Sequence, residues 1–363
     1  MPFKVVVWGT GNVGRPALRT VMANPALELV GVIVSDPAKV GLDAGALCGL
    51  PVTGILATDD VDAGLAIEAD AVVYAATADT RPVEAAEDLL HALRSGRNVV
   101  STSFYNLLHP DCTQPAFRAR FEEACAEGGS SCFVSGIDPG FVGDVLAVFL
   151  TGCCEEVREV RVFEIFDYAT YHAPFSVLEL CGFGKPLDRT PPMLLPGVPE
   201  MVWGGTIRLI AQALGVTLDG MRQHVEELPL DRTIELPIGT LEAGTRGAFR
   251  FQLEGLVDNH PLIVVDHITR ITPDIAPHWP PCEGGGLHGV RITGRPTIEL
   301  KLSCEDEDGD HNVGGVNASA ARIVNAIPLV AAAKPGLVTA LDVPFVPGAG
   351  LARTRSSPNL GVS

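Results

Sequence analysis

Three glycines near the start of the chain, in Gly9-Thr10-Gly11-Asn12-Val13-Gly14, have the spacing G-x-G-x-x-G. Glycine is common here, at 39 residues, so the context of the motif matters more than the spacing. The motif directly follows the apolar run Val5-Val6-Val7-Trp8 and opens a helix-forming segment, as the first strand-to-helix turn of a dinucleotide-binding domain does. In such a turn Gly9 permits a tight reversal, Gly11 leaves the backbone open to a diphosphate, and Gly14 lets helix and strand approach closely. Thr10, Asn12 and Val13 complete a loop whose backbone N–H groups face the phosphates, aided by the helix dipole. The chemistry implied is binding of NAD or NADP, with hydride transfer as the expected activity.

The second apolar strand ends at Val34-Ser35-Asp36-Pro37-Ala38-Lys39. A carboxylate at that strand end would hold the ribose hydroxyls and favour NAD. Ser35 holds the position and Asp36 lies one step beyond, so Ser35 and Lys39 together suit a 2′-phosphate. NADP is favoured, and NAD or dual use stays open. In an open parallel sheet, ligands lie beyond the carboxyl ends of the strands. Ala75-Ala76-Thr77-Ala78 and Val100-Ser101-Thr102-Ser103 end the next two strands, so Ala76, Thr77, Ser101 and Thr102 are expected around the nicotinamide half.

These turns must be positioned by alternating elements. Strands are expected at 4–8, 27–34, 71–75, 98–101 and 132–134, with helices between them. The helix after residue 80 is expected to be capped by Thr80, with Pro82 in its first turn. Near-continuous apolar strands alternating with helices specify a parallel sheet covered on both faces. Beyond about Gly143 the texture changes. Residues 157–168 alternate with period two, Ser176-Val177-Leu178-Glu179 reads as a capping box, 185–199 as a long loop and 201–214 as a helix. Further strands are expected at 233–236, 248–256, 262–271 and 297–302, with a hairpin turn at Asp258-Asn259-His260. A helix at 318–333 matches the first domain in composition. The reading is α/β: an N-terminal Rossmann doubly wound parallel sheet (1–143), then a substrate and oligomerisation α+β domain on a mainly antiparallel sheet (144–315), then a helix returning to the first domain (316–350). The tail from Leu351 onward is expected to be mobile.

Composition narrows the function classes. With 363 residues, 47% of them hydrophobic, the chain suits two cores. A net charge of −18 argues against nucleic acid or an anionic membrane as partner. The start Met1-Pro2-Phe3-Lys4 runs straight into a strand without a signal-type segment, and no uninterrupted apolar run is long enough to span a membrane. None of the 9 cysteines sits in a C-x-x-C pair, which suits buried thiols in a reducing cytoplasm. No metal is expected: no His/Cys cluster has zinc spacing, and Glu305-Asp306-Glu307-Asp308-Gly309-Asp310 lacks the glycine and final glutamate positions of a calcium loop.

The chain resembles the dihydrodipicolinate-reductase-like oxidoreductases, and among them the 2,4-diaminopentanoate dehydrogenase and native amine dehydrogenase group. The stretches that carry the resemblance are Trp8 to Gly14, Asp36-Pro37-Ala38-Lys39-Val40-Gly41, Gly136-Ile137-Asp138-Pro139-Gly140-Phe141, Gly182-Phe183-Gly184, and Arg322-Ile323-Val324-Asn325-Ala326-Ile327-Pro328. The second domain lacks the paired histidines and lysine of true dihydrodipicolinate reductases; it has Asp167-Tyr168-Ala169-Thr170-Tyr171-His172 there. The resemblance further implies a catalytic glutamate soon after the Ser-Thr strand end. Here that stretch, Ser101 to His109, holds no carboxylate, which bears on the amination chemistry and leaves cofactor binding untouched.

Hydride chemistry at a C–N or C–O carbon still needs a group that gives or takes a proton. Tyr105, in the slot of the absent glutamate, is the first candidate, and as an aromatic wall it has a structural alternative. His109 and His172 are loop histidines. Glu164 would replace the glutamate if its strand turns it inward and would form a surface ion pair if not. Asp138 would bind the carboxamide or the substrate, or close an Asx turn. Asn325 would touch the nicotinamide or pack between helices. The expected protein is an NAD(P)-dependent oxidoreductase acting on a small, apolar substrate, a homodimer by pairing of its second sheet. The rivals are a carbonyl or imine reductase that does not use ammonia and a non-catalytic dinucleotide sensor.

Overall fold

The computed structural model describes residues 1–281 and 283–353. The expectation for the tail beyond Leu351 falls, from residue 354 on, outside the described residues, as does Cys282. The chain forms two compact units, Met1–Gly136 together with the segment from Val316 onward, and Ile137–Gly315.

The first unit runs β1 (Phe3–Trp8), α1 (Gly14–Ala23), β2 (Leu27–Ile33), α2 (Ala44–Cys48), β3 (Ala57–Thr58), α3 (Val61–Ala66), β4 (Ala71–Tyr74), α4 (Pro82–Arg94), β5 (Asn98–Ser101), α5 (Pro115–Gly128) and β6 (Ser131–Val134). The second holds α6 (Ala147–Thr151), β7 (Glu156–Asp167), α7 (Val198–Leu214), β8 (Gly220–Pro229), β9 (Ile234–Leu236), β10 (Gly239–Leu241), β11 (Arg246–Val257), β12 (His260–Arg270), β13 (Gly286–Arg295) and β14 (Ile298–Leu302). α8 (His311–Ala332) begins in the second unit and continues into the first, which ends with β15 (Gly336–Val338).

In the first unit a seven-stranded sheet has the order β15-β6-β5-β4-β1-β2-β3, every ladder parallel. Alternate side chains of β1 feed two separate cores, as the period of a strand requires. Val5 and Val7 pack with α1 and with Ala320, Ile323, Val324, Ile327 and Val330 of α8. Val6 and Trp8 pack with Leu89 and Leu93 of α4 and Phe121 and Ala124 of α5. A sheet buried on both faces is therefore covered by helices on both, the doubly wound arrangement. By length and composition α8 could cross a membrane. Its apolar residues lie in the β1 core, which makes it a core helix.

The second unit is built on a six-stranded sheet, β14-β13-β7-β12-β11-β8, antiparallel except where β7 runs parallel to β12. The Asp258-Asn259 turn joins β11 to β12 with both residues at positive φ, 52° and 62°, as a two-residue hairpin of matching twist requires. On β7, Val160, Val162, Glu164 and Phe166 share the buried face.

Several local expectations need correction. Thr80 does not cap α4: Pro82 sits in the first turn and makes Arg81 the cap, without a side-chain bond. The capping box at Ser176 is absent, because the short helix already begins at Phe175 and Ser176 falls inside it. The loop expected to reach Pro199 ends at Gly197, whose φ of 85° starts α7 three residues before Met201. β8 and β13 were not expected. β8 is polar and mostly exposed, and β13 is broken by glycines. Gly289 of β13 is required because a Cβ there would stand 2.2 Å from Cζ of Phe163 on its paired strand.

Candidate functional site

The glycine turn in the first unit divides its three glycines by environment. Gly9 has φ +100°, and a Cβ on it would lie 2.7 Å from the backbone N of Ala76. A Cβ on Gly14 would lie 2.0 Å from the carbonyl oxygen of Gly9. Over Gly11, in contrast, no described atom lies within 4 Å of the Cβ position. Two glycines thus close the turn against the sheet, and the middle one leaves its outer side open. The N–H of Arg15 bonds the Gly11 carbonyl at 3.1 Å and that of Ala17 the Val13 carbonyl at 3.0 Å, so it is the turn ahead of α1, with the helix dipole behind it, whose opening suits an anionic diphosphate. Gly11 and Asn12 are exposed, Val13 half-buried and Thr10 buried.

Around the turn, Lys39 donates through Nζ to the carbonyl oxygen of Thr10 at 3.2 Å. Asp36 is occupied locally, accepting from the backbone N–H of Ala38 at 3.0 Å, and Ser35 is exposed beside it. Thr77 is exposed and its hydroxyl accepts from the N–H of Asp79 at 3.2 Å. Ala76 and Thr102 are half-buried. Two of the residues expected at the cofactor have side chains engaged within the protein. Ser101 is fully buried: its hydroxyl donates to the carbonyl of Tyr74 at 2.8 Å and accepts from the N–H of Ser103 at 2.9 Å, which ties β5 to β4. Asn325 accepts from Asn24 at the far end of α1, about 15 Å along the helix from Gly14, so it packs helices together.

The second unit holds a buried group of titratable side chains that no local spacing announces. Strand register aligns His288 of β13, Glu164 of β7 and His267 of β12 in one row across the sheet. Asp138, in extended backbone ahead of the helical stretch that ends at Leu146, meets the row: its Oδ1 accepts from Nε1 of Trp203 on α7 at 2.8 Å. His288 Nδ1 stands 3.7 Å from Glu164 Oε2 and 4.0 Å from Asp138 Oδ2. His267 Nδ1 is 3.8 Å from Glu164 Oε1, and its Nε2 is bonded to the Thr269 hydroxyl at 2.8 Å. The walls are aromatic: Phe166 is 4.7 Å from the His288 ring, and Trp203 and Phe251 lie 4.9 and 4.8 Å from the His267 ring.

Burial decides the charge state. Loss of water pushes the Asp138 carboxyl up to about 7, with Trp203 opposing and Asp144 adding to the rise. Burial, reinforced by Asp138, holds Glu164 well above the usual carboxyl range. Burial pulls His267 down to about 3, helped by His288, and His288 down to about 4. The short approaches between imidazole and carboxyl are therefore contacts between largely uncharged groups rather than ion pairs. Such a cluster can store and pass protons near neutral pH.

Of the expected proton-handling residues, the structure brings Glu164 and Asp138 together. The surface ion pair considered for Glu164 is overturned, since Glu164 is 8% exposed. Tyr105 lies half-buried in a single turn, Tyr105–Leu107. His109 is buried with Nδ1 accepting from the Asp111 N–H at 3.2 Å, and His172 is exposed. His267, His288 and the Trp203 bond escaped the sequence reading. The signal was faint: Asp266 and His267 interrupt the apolar stretch from Leu262 to Ile268, and Glu164 follows Val160 and Val162 at period two.

The doubly wound sheet and the open glycine turn define an NAD(P)-dependent oxidoreductase, and comparison with known proteins narrows the class. Residues 141–358 match the 2,4-diaminopentanoate dehydrogenase C-terminal domain, and the chain belongs to this family. It is 49% identical to an amine dehydrogenase of Streptomyces virginiae over 349 residues, covering 95% of this chain and 97% of that one. It is 26% identical to 2,4-diaminopentanoate dehydrogenase of Acetoanaerobium sticklandii, covering 94% and 93%. The amine dehydrogenase structure from Mycobacterium smegmatis shares the fold at a TM-score of 0.76 and 20% identity, covering 94% of this chain and 96% of that one.

Two predictions follow from this geometry. Gly11→Ala should fold normally yet weaken coenzyme binding by about tenfold or more, read by calorimetry, whereas Gly14→Ala should cost about 2 kcal/mol of stability or more through overpacking. Equal loss of stability in both variants would contradict the assignment. Asp138, raised in the folded state, favours folding fully below its unfolded value near 3.8, and that contribution is lost as pH rises toward about 7. Asp138→Asn should therefore gain Tm relative to wild type on going from pH 5 to pH 8; a difference independent of pH would contradict the shift.

Proposed function

We propose that the protein is an amine dehydrogenase, interconverting a small, largely apolar primary amine with its ketone or aldehyde and ammonia. The observation that carries this reading is the buried carboxyl of Glu164, paired with Asp138, in a chain whose Ser101 to His109 stretch offers no carboxylate. Bound at the glycine turn, the nicotinamide coenzyme supplies or accepts the hydride. Joining ammonia to a carbonyl also requires two protons delivered to the oxygen that departs as water, one from an acid and one taken from the nitrogen. Glu164, its carboxyl held well above the usual range by burial, is suited to the first task, and Asp138, raised to about 7, to the second. The neutral imidazoles of His267 and His288 keep the group free of net positive charge.

Lys39 beside Thr10, with Asp36 turned into its own loop, supports NADP as the preferred coenzyme. A small-molecule substrate, a cytoplasmic setting and a homodimer complete the proposal. The setting is supported by free cysteines throughout the described positions and by the acidic composition.

The test is NADPH oxidation with small ketones, with and without ammonium. Ammonium-dependent turnover is expected, and Glu164→Gln should lower kcat by about a hundredfold with the coenzyme Kd unchanged. Turnover that ignores ammonium would establish the rival carbonyl reductase instead. Lys39→Ala should raise the KM for NADPH by about tenfold while leaving that for NADH nearly constant; equal effects on both coenzymes would remove the 2′-phosphate role.

A further inference from the structure

We propose that Asp138 Oδ2, Glu164 Oε2 and His288 Nδ1 form the seat of the reacting nitrogen, holding ammonia in the reductive direction and the primary amino group in the oxidative one. This rests on the amine dehydrogenase reading and adds to it the place where the nitrogen binds. The three residues form one constellation, in which one ligand atom from each lies within 4.8 Å of the others. His288 Nδ1 lies 3.7 and 4.0 Å from the two carboxyl oxygens, too far for direct hydrogen bonds. His288 is 2% exposed, and neither of its ring nitrogens has a hydrogen-bond partner among the described residues; the same holds for Nδ1 of His267, 4% exposed. Buried polar atoms left in this state are costly, and a ligand that bonds them relieves the cost.

The donor chemistry selects the ligand. A tetrahedral nitrogen bonded to each acceptor at about 2.9 Å spans acceptor pairs about 4.7 Å apart, and a tetrahedral zinc ion would draw the same atoms to about 3.3–3.6 Å. The gaps from His288 Nδ1, 3.7 and 4.0 Å, lie between these values and leave room for a hydrogen-bonded nitrogen. Ammonia and a primary ammonium are rich in N–H donors, and the site presents two carboxyl groups and an imidazole. The geometry is held firmly. Glu164 and His288 sit opposite each other on paired strands, and Trp203 Nε1 fixes Asp138 through its other oxygen. The rings of Phe166 and Trp203 beside the cluster leave an apolar wall for the carbon to which the nitrogen is attached.

The experiment varies ammonium at saturating ketone and NADPH. Asp138→Asn keeps the size of the side chain and an oxygen for Trp203, and should raise the ammonium KM roughly ten- to a hundredfold, the worth of a charge-assisted hydrogen bond, with ketone and coenzyme KM values little changed. In a readout independent of turnover, ammonium chloride should alter the tryptophan fluorescence of the NADP⁺-bound wild type relative to sodium chloride, and the response should vanish in Trp203→Phe. An ammonium KM within about twofold of wild type in an enzyme that still needs ammonium would overturn the seat alone. Turnover without any need for ammonium would overturn the amine reading and the seat with it. One equivalent of tightly held divalent metal, with activity lost to a chelator, would also overturn the proposal.

Discussion

Gly14 approaches the carbonyl of Gly9 so closely that a single methyl group would stand 2.0 Å from its oxygen. That contact draws α1 tight against the end of β1 and points the start of the helix at the space over Gly11. Much of the first unit depends on it. β1 is central to the parallel sheet, and its two faces supply residues to two different helical layers. Displacing α1 would open the layer it shares with α8 and move the N–H groups at its start away from any phosphate. Packing and binding are therefore set by the same backbone approach, and only the middle glycine is spared for the ligand.

The second unit resolves a different conflict. Its sheet face is apolar at Val160 and Val162 and then carries a carboxyl at Glu164, flanked by two imidazoles. Removing such groups from water favours their uncharged forms: carboxyls rise and imidazoles fall. Of these groups Asp138, raised to about 7, titrates near neutral pH, at the expense of folding stability, as is common where a fold is shaped for chemistry. Trp203 and the strand register keep them in place at that cost.

The legible part of the molecule was the part governed by local rules. The glycine spacing after an apolar strand announced the tight strand-to-helix turn, and the alternation of strands and helices announced the parallel sheet. The Asp258-Asn259 turn was legible because positive φ at both positions restricts which residues can stand there. Caps were misplaced by one or two residues at Thr80 and Ser176, where proline or a neighbouring residue fixed the helix start instead. Position alone places Ser101 and Asn325 near the coenzyme, whereas in the fold the Ser101 hydroxyl is bonded to Tyr74 and Ser103 and the Asn325 Oδ1 accepts from Asn24. The acid–histidine row was hidden for a different reason. Its members come from strands far apart in sequence, and β13, which carries His288, is disguised by glycines, of which Gly289 is required by the Phe163 ring. Only the pairing of strands brings them together.

The central claim is that the open backbone at Gly11 receives the diphosphate of a pyridine dinucleotide. A crystal structure of the protein grown with NADPH tests it most directly. The account predicts diphosphate oxygens within hydrogen-bond distance of the backbone N–H groups between Gly11 and Val13. A coenzyme found elsewhere on the chain, with that turn left to solvent, would contradict it.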